Sequence, residues 1–486
     1  MHVRAADLAV ILLYLAGITL FGIRFRRGQA SVRDYFLGGR TAPWWALAGS
    51  IVATETSTLT IISTPGIAYA GNLGFLQLAL GYILARFLIS VLFIPQYFRG
   101  EFYTAYELIE KRFGKDTRRI AASVFLVTRA LAEGVRLNAI GKVVSVAFGT
   151  GNRLSIAGIT ALTLVYTFEG GMKAVIWTDI VQLALYLAGS ATAFWLLLEK
   201  VPGGWAEVTR VAAAAGGKLR VFDFTFSLTQ TYTFWSGVIG GTFLTLASHG
   251  TDQTMVQRLL AARNERDSQK AIIASGFIVF VQFALFLLIG VMLYAYGQHF
   301  SLAIPEGDRD RMFPAFIVDQ MPPGLAGLVL AAIFAVAMSN ASGSLNSLAS
   351  STIMDFQGLR GRAESDPAKL LQMSRFVTLV WGVLLGALAL IHWGPVLEAG
   401  LTIASITYGS LLGLFLLGLL NPRATARGAV CGMIAGLAVL LWVKFFTPLA
   451  WTWYVVAGTV PTFLVGSLAS LLDNPAQKDT GGTAQT

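Results

Sequence analysis

The sequence predicts an all-α integral membrane protein of about thirteen transmembrane helices, some of them broken at mid-membrane. Three observations carry that prediction. Mean hydropathy is +0.66. With 55% hydrophobic and only 13% charged residues, the chain has too few polar side chains to cover a water-facing surface. About thirteen apolar stretches each approach the roughly 20 residues that cross a hydrocarbon core. The stretch at 43–70 is interrupted by Ala53-Thr54-Glu55-Thr56-Ser57-Thr58 and again by Thr64-Pro65-Gly66. A polar, acid-bearing break at that depth is tolerated only where the freed backbone lines a cavity, and that is where a transporter holds an ion and a solute.

Taken in order, the spans read as 5–23, 43–70, 74–97, 120–147, 154–168, 173–198, 233–257, 271–296, 323–353, 375–392, 396–420, 428–446 and 451–472. The first is too long, and too poor in small residues at its end, to be a removed signal peptide, so it reads as a peripheral first helix. No soluble module interrupts the spans, so residues 1–472 form one transporter domain. The tail 473–486, polar and rich in Gly and Thr, reads as disordered. The single Cys431 excludes an intrachain disulfide and a cysteine metal cage, and the four histidines do not cluster.

A net charge of +10 invites a nucleic-acid reading until the basic residues are sorted by loop. Arg24, Arg26, Arg27, Arg33 and Arg40 follow the first span, and the loops after spans three, seven and nine are likewise rich in Arg and Lys. The positive-inside rule then places the N-terminus outside and the C-terminus in the cytoplasm of a plasma (inner) membrane protein. Its partners are the lipid bilayer and a small-molecule solute, with no nucleic acid and no obligate protein partner.

The seventh span carries a second candidate break, Ser236-Gly237-Val238-Ile239-Gly240-Gly241, five spans after the first. Breaks at corresponding places in two groups of five helices point to inverted repeats, about 43–198 and 233–420, with extra helices over 428–472. The competing reading is that these small residues only let helices approach closely. Trp235, Phe234 and Phe243 beside this stretch form either an aromatic gate or interfacial anchors.

Ionisable groups inside spans persist only when paired, hydrated or useful, and Glu55, Arg86, Arg129, Glu133, Arg136 and Asp179 are of this kind. Arg129, Glu133 and Arg136 lie four and three apart, hence on one helical face. Glu133 neutralises one arginine; the other either pairs with Glu55 or meets a substrate anion, for which a planar guanidinium is well suited. Hydroxyl and amide groups for a polyol or amino acid come from Ser57, Thr58, Thr60, Gln77, Thr402, Ser405 and Tyr408. The expected substrate bears a carboxylate, as a sugar acid does; the alternative is a neutral solute moved with protons.

The motif Asp34-Tyr35-Phe36-Leu37-Gly38-Gly39-Arg40, then Pro43-Trp44-Trp45 and Pro65-Gly66-Ile67-Ala68-Tyr69, resembles the opening of the sodium/solute symporter family. Glu169-Gly170-Gly171-Met172-Lys173-Ala174-Val175-Ile176-Trp177-Thr178-Asp179, Gly250-Thr251-Asp252-Gln253, and Met338-Ser339 with Ser342 and Asn346 extend the likeness collinearly to about residue 420. The resemblance implies a five-plus-five inverted-repeat core of the LeuT type, alternating access and sodium as the coupling ion. It implies a cation site made by the carbonyls of Ala53 and Thr56 and the hydroxyl of Ser339, all hard oxygens. Asn340 stands where the family usually has Ser or Thr, and Asp179 with Ser342 marks a second site or a cation exit. Some sialic-acid symporters of the family use an arginine on the helix equivalent to span four for the substrate carboxylate. An enzyme is not expected, since no paired nucleophile and base, HExxH or phosphate loop is present. A sensor would carry a soluble module after the last span, and only about 14 residues follow it.

Overall fold

The computed structural model describes residues 3–23, 37–99, 105–166, 172–300, 309–354 and 367–473, nearly all of them helical. The helices are α1 (Ala5–Ile23), α2 (Trp44–Glu55), α3 (Thr58–Ala70), α4 (Leu76–Leu92), α5 (Ile94–Phe98), α6 (Ala105–Phe113), α7 (Lys115–Phe148), α8 (Asn152–Tyr166), α9 (Met172–Lys200) and α10 (Gly204–Ala214). After them come α11 (Phe234–Gly250), α12 (Gln253–Leu260), α13 (Glu265–His299), α14 (Met312–Gln320), α15 (Leu325–Met354), α16 (Pro367–Ala389), α17 (Val396–Leu420), α18 (Ala426–Phe446) and α19 (Tyr454–Leu472). The expected tail beyond Asp473 lies outside the described residues, as do Asp34 to Phe36 and Glu169 to Gly171.

Each expected span has a helical counterpart in order. Among the described residues seven helices are long and apolar enough to cross a membrane unaided, and eight if the bent pair α2 and α3 counts as one. Of the others, α7 carries the buried charges Arg129 and Glu133 along its length, and α11 is 17 residues long. Call the face bearing the loops at 71–75, 201–233 and 309–324 upper, and the face bearing 99–114 and 251–264 lower. Lys218 on the upper face donates to the carbonyls of Tyr69 and Gly71 at the end of α3, at 2.6 and 3.1 Å. On the lower face Ala42 pairs with Ala262 in an isolated bridge.

The chain between α2 and α3 bends by 65° at Thr56 and Ser57. Pro65 does not add a second break there, because α3 runs unbroken through it. Its neighbour α13 meets that turn with Gly290, where any Cβ would stand 2.8 Å from the Pro65 carbonyl carbon. α1 is fastened to α15 by Asp7, whose buried carboxylate accepts from Gly324 N at 2.6 Å and Gly327 N at 2.9 Å, capping that helix.

The seventh span corrects the expectation. α11 runs without interruption through Ser236–Gly241, and the break falls at Thr251 and Asp252, where Asp252 N-caps α12 by accepting from Thr254 N at 2.8 Å. The small residues serve packing: a Cβ on Gly237 would lie 2.8 Å from Gln77 C, so α11 and α4 touch backbone to backbone. Glycine does not end a membrane helix that has a tight partner; an aspartate able to take over the freed N–H groups does.

Candidate functional site

Both breaks open onto one cavity of about 140 Å³, reaching from mid-molecule toward the upper face at Phe75 and Leu397. Glu55, Ser57 and Thr60 come from the first break and Ser248, His249, Asp252 and Thr254 from the second. α7 supplies Thr128, Arg129 and Arg136, and α17 supplies Gly400 and Tyr408.

At the first break Ser57 N donates to the Glu55 carbonyl at 3.0 Å and not to Ala53, four residues back. The carbonyls of Ala53 and Thr56 therefore accept no hydrogen bond among the described residues. The Thr56 side chain is held by Gln282, whose Nε2 lies 2.7 Å from Oγ1, and Tyr186 Oη donates to the same glutamine at 3.2 Å. α15 passes this bend at Ala337 and Asn340, which share a second space of about 10 Å³ with Ser57, Thr58, Glu133 and Arg136. Asn340 Nδ2 is buried there with no hydrogen-bond acceptor among the described residues. Neutral hard oxygens of this kind suit an alkali cation. The side chains of Ser339 and Ser342 lie outside the described residues; only their places on α15 are given.

Charge is distributed by pairs that link distant parts of the chain. Arg86, fully buried, pairs with Glu55, and His249 Nε2 lies 3.4 Å from the same carboxylate and 3.3 Å from the guanidinium. Glu55 is thus not the partner of either arginine on α7. There, Arg136 Nη1 meets Glu133 Oε2 at 3.4 Å, while Arg129 Nε donates to Ser344 Oγ at 3.0 Å and Ser344 in turn donates to Glu133 at 2.7 Å. No carboxylate pairs directly with Arg129 among the described residues. Across the cavity Tyr408 Oη donates to Asp252 Oδ2 at 3.1 Å. Beneath, Arg258 Nη2 meets Asp179 Oδ2 at 3.3 Å, and Ser50 Oγ donates to that oxygen at 2.7 Å, tying α12, α9 and α2 together on the lower side.

Of the residues expected in the pocket, Ser57, Thr60, Arg129, Arg136 and Tyr408 line the cavity, and Thr58 and Glu133 face the smaller space behind it. Gln77 does not reach either: its amide donates to the carbonyls of Gly74 and Tyr232 at 3.1 and 3.2 Å and accepts from Asp223 N at 2.9 Å, fastening an upper loop. Thr402 and Ser405 are off the cavity wall, and Ser405 Oγ bonds its own helix at the Leu401 carbonyl, 2.6 Å away. Nor do Phe234 and Trp235 gate the cavity; Phe234 packs on Phe222, Phe224 and Trp235, and Trp235 is 42% exposed, the anchor reading. Phe75, Tyr82, Phe283 and Asp252 are wall residues that sequence reasoning missed. For Asp252 the signal was present, a glycine followed by a capping residue at Gly250-Thr251-Asp252.

A profile of the sodium:solute symporter family matches residues 35–436. The chain belongs to that family. This symporter is 31% identical to the human sodium/iodide cotransporter over 90% of its own length and 68% of that protein. It is 29% identical to the sodium/sialic acid symporter SiaT of Proteus mirabilis, covering 97% of this chain and 96% of that one. A solved structure of a substrate-bound, outward-open Na+-coupled sialic acid symporter superposes with a TM-score of 0.87 at 29% identity, over 97% of this symporter and 99% of that chain. The fold is therefore the LeuT-like, five-plus-five inverted-repeat fold, and the protein is a multi-pass, sodium-coupled symporter and not an enzyme.

Proposed function

We propose that this symporter carries a small solute bearing a carboxylate, a sugar acid or related organic acid, together with sodium by alternating access. The observation that carries the reading is Arg129, buried on the cavity wall and held by a hydroxyl in place of an acid. A guanidinium so placed offers its fork to a carboxylate entering from the upper side. The cavity also contains Glu55 and Asp252, so its preference for an anion rests on this local cation and not on net charge. Asp252, Tyr408, Ser57, Thr60 and Ser248 supply acceptors and donors for the solute's hydroxyl groups. That the two relatives named above are called transporters of anions, iodide and sialic acid, supports the same choice.

Sodium is assigned to the bend, on the carbonyls of Ala53 and Thr56 with Ser339 and Asn340 from α15. Asp179 and Ser342 are assigned to the cation's path toward the lower face, where the Arg258 pair keeps Asp179 occupied. The repeats are read as 43–198 and 233–420 within a single domain. The lower face, where the basic loops lie, is read as cytoplasmic in a plasma (inner) membrane, which leaves the cavity open to the outside. The test is thermal unfolding of the purified protein with sugar acids, monocarboxylates, amino acids and neutral sugars, each with and without sodium. Sodium-dependent stabilisation by a carboxylate is expected; stabilisation by neutral sugars alone would overturn the reading.

A further inference from the structure

A second large cavity, of about 330 Å³, opens at the lower ends of α5, α6 and α17, separate from the central one. Its floor is apolar, with Ile109 and Phe415 each 1% exposed and Leu419 beside them. Arg99, Lys111 and Arg112 form its rim, and among the described residues no carboxylate lines it. Glu110, on the same helix as Lys111 and Arg112, is bound to Arg118. Arg112 is held in place: Nη2 donates to the carbonyls of Asn421 and Pro422 at 3.1 and 2.8 Å, and its guanidinium stands 5.1 Å from the Phe113 ring centre. The span Leu76–Phe98 ends immediately before Arg99 and the span Val396–Leu420 ends immediately after Leu419, so the cavity lies at the level where hydrocarbon gives way to headgroups.

We propose that this cavity binds an anionic phospholipid, its phosphate on the rim arginines and Lys111 and its glycerol and upper acyl carbons on the Ile109, Phe415 and Leu419 floor. Basic groups close to a membrane surface attract acidic headgroups, and guanidinium fits phosphate oxygens in pairs. An apolar floor offers nothing to a free phosphate ion. Here it continues into Leu420, 55% exposed at the end of α17, which gives an acyl chain a route out to the surrounding lipid.

Native mass spectrometry of the full-length protein in detergent, titrated with phosphatidylglycerol and separately with phosphatidylcholine, tests the proposal. Phosphatidylglycerol is expected to be retained in preference. Arg99 and Lys111 are exposed. With each basic group worth roughly fivefold in affinity, R99A/K111A should retain the lipid about 30-fold more weakly. Leu108→Trp, which fills the cavity without altering charge, should also lose it. Equal retention of the two lipids overturns the proposal. So does full retention by Leu108→Trp, which would assign the effect to diffuse surface charge. Displacement of phosphatidylglycerol by millimolar glycerol phosphate would assign the site to a soluble phosphate and overturn it as well.

Discussion

Arg136 takes the carboxylate of Glu133 directly, Nη1 to Oε2 at 3.4 Å, and Arg129, on the same face of α7, reaches that acid only through the hydroxyl of Ser344. The two arginines therefore have different work. Arg136→Gln leaves Glu133, 1% exposed, without its cation and should cost on the order of 2 kcal/mol of stability. That is less than a fully buried pair loses, because Arg136 is 23% exposed. Arg129→Gln should keep the fold and weaken a carboxylate ligand by roughly 10- to 100-fold, the worth of a charge-assisted hydrogen bond. Thermal unfolding and ligand titration of both variants check this. Normal affinity in Arg129→Gln would remove the anion reading.

Sodium should raise the unfolding temperature where potassium does not. A cation at 100 times its dissociation constant adds about 2.7 kcal/mol to the folded state. Ser339→Ala should abolish most of that increment while leaving the sodium-free protein unchanged. Asn340→Thr removes a buried amide nitrogen that has no acceptor among the described residues, and should stabilise the sodium-free protein by about 1 kcal/mol. Sodium titrations followed by differential scanning fluorimetry separate the two effects; an unaltered sodium response in Ser339→Ala would place the ion elsewhere.

Glu55 and Arg86 form a pair whose arginine is 0% exposed and whose acid is 15% exposed. Removing one member leaves a charge stranded in a low-dielectric interior. Glu55→Gln should therefore cost about 3 kcal/mol, and Arg86→Met a similar amount. The double variant should recover part of the loss, since neither charge is then left alone. Unfolding midpoints of the three proteins form the cycle; strictly additive losses would mean that the two side chains do not act as a pair.

On the upper face, outside the spans, hydrogen bonds from Arg210 and His299 pull the Glu207 carboxyl down to about 2 from an ordinary 4.5. A depressed carboxyl stabilises the folded state above its unfolded value and loses that contribution as pH falls through the folded one. The link from α10 to the end of α13, Glu207 Oε1 to His299 Nε2 at 2.9 Å, should thus hold at neutral pH and weaken between about 4.5 and 2. Glu207→Gln should remove this pH dependence. Hydrogen exchange of α10 across that range measures it, and a profile identical in the variant would show that another group is responsible.

Much of this molecule was set by local sequence. Apolar length fixed where helices form, and the run Ala53 to Thr58 marked a break because six consecutive small or polar residues cannot satisfy a membrane helix unaided. The collinear motifs carried the family. The second break was legible too, in Gly250-Thr251-Asp252, but the glycine-rich run upstream gave a stronger and misleading signal. A glycine's effect on a helix depends on whether a neighbouring backbone comes to meet it, as Gln77 meets Gly237, and one strand of sequence holds no record of that neighbour. The pairing of charges was likewise decided only by the tertiary structure. Glu55 joins Arg86, 31 residues away, Asp179 joins Arg258 across 79, and Ser344 joins Glu133 across 211. Gln77 was drawn to loop carbonyls for the same reason. Buried polar groups bind whatever partner the packed helices bring within about 3 Å, and that partner is a property of distance in space, which separation along the chain does not encode.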